Sequence, residues 1–124
     1  VKNRRWFHEN AVLLGDAAHT AHFSIGSGTK LALETAIALA HCFREEPEVG
    51  KALAEFQRTR KPVVDGYQEA AHSSLAWLEN AEEKVHLEPI PLAYELMVRS
   101  RKINYESLKI RDPEFVAAYD RWRG

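Results

Sequence analysis

Between residues 12 and 40 the sequence gathers residue types that chemistry uses. An apolar run ends at Gly15-Asp16, Ala17 and Ala18 follow, and Gly26-Ser27-Gly28-Thr29 leads into an alanine-rich apolar stretch. A strand that stops at a small residue plus a carboxylate places that carboxylate at the carboxyl edge of a sheet. There Asp16 can accept hydrogen bonds from ligand hydroxyls. Glycines where a helix begins leave backbone N–H groups free at the positive end of the helix dipole, a setting for an anionic or electron-rich group. Together these features suit a ligand with a polyol part and an anionic part. The same residues also suit a plain strand–loop–helix corner, with glycines turning the chain and Asp16 capping a helix. Both readings stand at this point.

Other chemistries are weaker. His19 and His22, with His8 nearby, have a spacing that would need a helix to hold a metal. Their segment reads as loop, and no cysteine or further paired ligand joins them, so no metal is expected and a hydrogen-bonded loop histidine is. Gly28-Thr29-Lys30 lacks the order and glycine spacing of a phosphate loop. Cys42 is the only cysteine. It lies in an apolar helix without an evident base and reads as a packing residue. A single cysteine gives neither an intrachain disulfide nor a cysteine-based zinc site, and a reducing, cytoplasmic address is the default.

The elements that must position these residues are one or two short strands followed by helices. Residues 10–14 form a continuous apolar run suited to a strand buried on both faces, as in a parallel sheet. Arg5-Trp6-Phe7-His8 is a second extended stretch, with Glu9-Asn10 as a turn. A lone buried strand leaves unpaired N–H and C=O groups on both edges, so the rest of a sheet, or another copy of the chain, is expected beside it. A helix follows from about 28 to 44. It is apolar nearly all round, which predicts burial. The next helix, about 48–81, carries Val49, Leu53, Phe56, Val63, Tyr67, Ala71, Leu75 and Leu78 as an amphipathic stripe. Pro62 is expected to kink or divide it near Arg60. A helix over roughly 91–103 comes next. Asp112-Pro113-Glu114 supplies an N-cap, a proline at the first helical position and an acid in the first turn for a last helix over 113–122.

The bulk properties bound the partners. At 124 residues, 45% hydrophobic and 28% charged, the chain has globular composition and one-domain length. A net charge of −1 gives no bulk attraction to nucleic acid or an anionic membrane, and neither is expected as a partner. No apolar run reaches the roughly 18 residues a membrane span requires.

Gly15-Asp16-Ala17-Ala18-His19, then Gly26-x-Gly28, then Ala32-x-x-x-Ala36 resembles the second FAD fingerprint of the group A flavin-dependent aromatic monooxygenases, the p-hydroxybenzoate hydroxylase-like superfamily. The resemblance implies that Gly15-Asp16 meets the ribityl chain of FAD through Asp16. It further implies that Gly26, Ser27, Gly28 and Thr29 open a helix whose amides face the pyrimidine end of the flavin. Arg58-Thr59-Arg60-Lys61-Pro62 and Ser73-Ser74-Leu75-Ala76-Trp77 look like the family's C-terminal part. Ser100-Arg101-Lys102-Ile103-Asn104-Tyr105 and Arg111-Asp112-Pro113-Glu114-Phe115 resemble the branch of salicyloyl-CoA 5-hydroxylase and 2-aminobenzoyl-CoA monooxygenase/reductase. The chain departs from the common pattern at Phe23 (a proline in the family), Lys30 (asparagine) and Thr35 (aspartate).

The implied fold is a mainly α fragment of an α/β, glutathione-reductase-like FAD domain. Residues 1–46 would be its second FAD-motif strand–loop–helix and residues 47–124 a C-terminal helical region. The implied function is hydroxylation of an aromatic substrate, an aryl-CoA thioester for this branch, with NAD(P)H as co-substrate and O2. No Gly-x-Gly-x-x-Gly follows a strand here, so the ADP half of FAD belongs to the rest of the FAD domain. The isolated chain is expected to be inactive and homo-oligomeric. The alternative is a non-catalytic helical assembly or dimerisation module with a relic flavin motif.

Overall fold

The computed structural model, which describes residues 1–124, begins with a hairpin rather than a doubly buried strand. Strands β1 (Phe7–His8) and β2 (Ala11–Val12) pair antiparallel, with Phe7 opposite Val12 and His8 opposite Ala11. Leu13 N–H extends the pairing by donating to the Trp6 carbonyl at 2.7 Å. This corrects the expectation of a buried strand over 10–14, since Ala11 is exposed and Leu13 and Leu14 are more than a third exposed. The physical reason is the Glu9-Asn10 turn. Glu9 adopts a φ of +50°, which folds the chain back on itself, so the strand takes its partner locally.

Two one-turn 3-10 helices, Gly15–Ala17 and Phe23–Ile25, lead to α1 (Gly28–Glu45), where the glycine-opened helix was predicted. Its burial is one-sided. Leu31 and Thr35 are fully buried, whereas Leu33 and Ile37 are 62% and 69% exposed. The expected all-round burial is thus corrected: one face packs inward and nothing in this chain covers the other.

Helix α2 (Val49–Glu79) matches the predicted 48–81 span and runs through Pro62 undivided. Leu53, Phe56 and Ala71 of the predicted stripe are buried, but Val64 takes the inward place assigned to Val63. Phe56 before the proline and Val64 and Tyr67 after it pack on one core, and tertiary packing sustains a helix that lacks a ladder bond.

The chain forms two compact units, Val1–Ala71 and His72–Gly124. In the first, the core is Trp6, Ala18, Leu31, Phe56 and Val64, flanked by Val12, Ala21, Ala38, Leu39, Cys42 and Tyr67. The second holds the end of α2 with α3 (Pro89–Val98), α4 (Tyr105–Arg111) and α5 (Pro113–Arg123). Here Leu108 and Val116 are buried, and the Tyr94 and Tyr119 rings stack at 4.0 Å. Helix α3 stops five residues short of the predicted 103, and Arg101 just beyond it turns the chain at a φ of +58°. Helix α4 was not foreseen, although Asn104 and Ser107 form a reciprocal capping box at its start.

The start of α5 is as predicted: the Asp112 carboxylate accepts from Phe115 N–H at 3.0 Å. Asp112→Ala should lower stability by about 1 kcal/mol. A loss below about 0.3 kcal/mol in urea unfolding, or no recovery with Asp112→Asn, would show that the cap is not needed.

Candidate functional site

The predicted residues fall into two neighbouring backbone features of the first unit. Gly15 adopts a φ of +56° and opens the one-turn helix that presents Asp16. The Gly15 carbonyl accepts from both Ala18 and His19 N–H at 3.0 Å. A Cβ at Gly15 would lie 3.9 Å from the Ala32 methyl, an ordinary contact, so the backbone sign and not lack of room requires glycine. Asp16 is exposed and forms no salt bridge or hydrogen bond within the chain.

The second feature is the start of α1. Ser24 N–H donates to His22 Nδ1 at 3.2 Å, Ser24 Oγ donates to the Ala71 carbonyl at 3.2 Å, and Gly26 closes the turn at a φ of +60°. Ser27 precedes the helix but does not cap it, because its hydroxyl donates to the Ile25 carbonyl instead. The first ladder bond runs from Leu31 N–H to the Ser27 carbonyl at 2.9 Å. The N–H groups of Gly28, Thr29 and Lys30 therefore precede the ladder, at the positive end of an 18-residue helix. Around Gly26 and Gly28 a Cβ would meet nothing within 4 Å, which leaves the backbone open to a planar or anionic group. The Gly15–Ala17 turn packs against α1, so the carboxylate and the helix start belong to one corner.

Behind this corner lies a polar cluster that sequence reasoning did not assemble. His19 is 3% exposed, its Nε2 is 3.1 Å from Thr35 Oγ1, and its ring lies 5.3 Å from that of Trp6. Thr35 Oγ1 donates to the Leu31 carbonyl at 2.6 Å and accepts from Arg60 Nε at 3.3 Å. Arg60 also pairs with Glu34 at 2.8 Å. The family-like pattern carries aspartate where Thr35 stands; here the carboxylate for Arg60 comes from the preceding residue. The available signal was a threonine at an inward position of an apolar helix, which demands hydrogen-bond partners. Lys30 lies over the Tyr67 ring at 5.4 Å and within 3.4 Å of Glu34, a surface lysine tying α1 to α2. Cys42 packs against the core as predicted, and burial, helped by the Glu55 charge, pushes its thiol pKa up.

Burial holds the His19 pKa below its ordinary 6.5, Arg60 lowers it further, and Asp16 opposes both. A histidine that binds its proton less well folded than unfolded stabilises the fold above the unfolded pKa. That contribution is lost as pH falls through about 6.5 toward the lower folded value. Urea unfolding should therefore show a decline from pH 8 to pH 5 that flattens in His19→Gln. An equal decline in the variant would assign the effect elsewhere.

No protein-family model matches the chain. Among curated proteins, the chain is 41% identical over 120 residues to a salicyloyl-CoA 5-hydroxylase of Streptomyces sp, covering 96% of this chain and 23% of that protein. It is 47% identical over 77 residues to the 3-hydroxy-4-methyl-anthranilyl-(aryl-carrier protein) 5-monooxygenase of Streptosporangium sibiricum, covering 62% of this chain and 22% of the other. A kynurenine 3-monooxygenase of Salinispora tropica is 33% identical over 87 residues, 69% of this chain and 18% of that protein. The chain thus spans about a fifth to a quarter of the length of these relatives.

Proposed function

We propose, from the premise that this chain is homologous to a segment of the aromatic monooxygenases, that it forms one wall of the FAD site in an enzyme of that kind. The observation that carries the reading is the juxtaposition of an exposed, unpaired carboxylate on a positive-φ turn with an uncapped, glycine-opened helix start. The residues fit the cofactor. Asp16, presented by Gly15, would accept hydrogen bonds from ribityl hydroxyls. Gly26 and Ser27 would offer open backbone, and Gly28 and Thr29 free amides, to the electron-rich pyrimidine end of the flavin. Bound there, FAD supplies the transfer of electrons from NAD(P)H to O2 and of one oxygen atom to an aromatic ring. The chain's own part is to bind, to orient and to place positive dipole where negative charge collects.

The substrate class in this reading is an aryl group carried on a large acyl carrier, with aryl-CoA first. Two of the relatives are named for aryl groups so attached, salicyloyl on CoA and an anthranilyl group on a carrier protein. Leu33 and Ile37 are the apolar surface that the remainder of the FAD domain covers. The same exposed residues favour the second reading, a helical assembly module, in which a second copy covers them.

The test is made on the full-length protein that contains this chain. Purified, it should release FAD on heat denaturation. It should also oxidise NAD(P)H faster with salicyloyl-CoA or 2-aminobenzoyl-CoA, with a gain of one oxygen in the product by mass spectrometry. A protein that neither carries nor takes up FAD, and that light scattering shows associating through this segment, would support the assembly module.

A further inference from the structure

We propose that His19, Thr35 and Arg60 are positioning residues: a buried hydrogen-bond relay that locks the Asp16 turn onto the first turns of α1, so that carboxylate and helix start are presented together. The inference rests on the flavin reading of that corner and assigns roles that the fingerprint residues do not cover.

A threonine hydroxyl has one proton and two lone pairs. The proton of Thr35 Oγ1 goes to the Leu31 carbonyl at 2.6 Å. The oxygen is then an acceptor toward both remaining neighbours, Arg60 Nε at 3.3 Å and His19 Nε2 at 3.1 Å. His19 must therefore carry its proton on Nε2, and the hydroxyl is fully satisfied while 0% exposed. Each arm of the relay ends on a different element. Through its backbone N–H, His19 donates to Gly15 O and closes the turn that carries Asp16. Leu31, which receives the Thr35 proton, is the residue whose N–H makes the first ladder bond of α1. Arg60 comes from α2, and its Nη2 lies 3.5 Å from the Leu31 carbonyl and 2.8 Å from Glu34 Oε2. Removing the hydroxyl would strand a buried imidazole N–H and a guanidinium N–H at once, and the turn would lose its anchor on the helix.

The test uses the full-length enzyme freed of cofactor and titrated with FAD by flavin fluorescence. Thr35→Val keeps the shape and removes the hydroxyl; Thr35→Ser keeps the hydroxyl. The expected result is about tenfold weaker FAD binding in the valine variant and a change below about threefold in the serine variant, with both folded by circular dichroism. The deciding readout is a double-mutant cycle with Asp16→Ala. If Thr35 acts through the placement of Asp16, the valine substitution has little further effect once Asp16 is gone. A merely structural role gives the full tenfold loss in either background and overturns the proposal, as does unchanged affinity in Thr35→Val. Should the valine variant fail to fold, Arg60→Lys, which keeps the charge facing Glu34 but drops the Nε donor, is read through the same cycle. Wild-type protein that takes up no FAD sinks the flavin reading itself. Wild-type binding with an additive cycle sinks only the relay.

Discussion

On the proposed flavin reading, replacing Asp16 by alanine in the full-length protein is expected to weaken FAD retention by about 10- to 100-fold while leaving the fold intact. The size follows from the chemistry of the group. Hydrogen bonds from neutral hydroxyls to a carboxylate contribute about 1.5–3 kcal/mol, and each 1.4 kcal/mol is a factor of about ten in affinity. The selectivity follows from the structure. Asp16 is exposed, forms no hydrogen bond or salt bridge in the chain, and sits on a turn whose conformation is set by Gly15 and by the bonds of Ala18 and His19 to the Gly15 carbonyl. Its removal should change stability by no more than about 0.5 kcal/mol. The measurement is the flavin-to-protein absorbance ratio after gel filtration, followed by fluorescence titration of the stripped protein. Full saturation of the variant, or a loss of flavin that tracks a loss of fold, would show that Asp16 does not bind the cofactor.

The largest stability effect is expected at Trp6. The side chain is 1% exposed and lies against His19 and Phe56 at ring distances of 5.3 and 5.6 Å. Its backbone is also fastened at both ends: the N–H donates to Gln57 Oε1 and the carbonyl accepts from Leu13 N–H, each at 2.7 Å. Truncation to alanine removes an indole from a core that the backbone cannot readily close, which typically costs about 3–5 kcal/mol. That is a large share of the roughly 5–15 kcal/mol by which whole domains are stable. Urea unfolding followed by circular dichroism should show a lower midpoint at an unchanged slope, with Trp6→Phe recovering much of the loss. A loss below about 1 kcal/mol would mean that the side chain is not the centre of this core.

The candidate site was legible where a residue type answers a backbone demand. Gly15 and Gly26 take positive φ, Gly28 opens α1, and Asp112-Pro113 starts α5; each is a requirement met within three or four residues of chain. The hidden part was whatever depends on a distant partner. Arg5-Trp6-Phe7-His8 reads only as an extended stretch, and Phe56 and Gln57, some fifty residues on, make Trp6 the core. Thr35 was visible as a departure from the family-like pattern, but its role needs His19 and Arg60 on either side. Val63 and Val64 are equally apolar, and helical periodicity at the proline did not tell which faces inward.

The amino-acid sequence by itself determined the order of the two strands and of α1, α2, α3 and α5, the ends of α1, α2 and α5, and the glycines that turn the chain at the candidate corner. Steric limits on φ and the hydrogen-bond needs of helix ends act locally and leave their mark in residue type. The tertiary structure alone decided which face of α1 is buried, that the first strand pairs within a hairpin, and that His19, Thr35 and Arg60 meet. Burial and the pairing of buried polar groups are sums over contacts from remote parts of the chain, and no short window of sequence contains them.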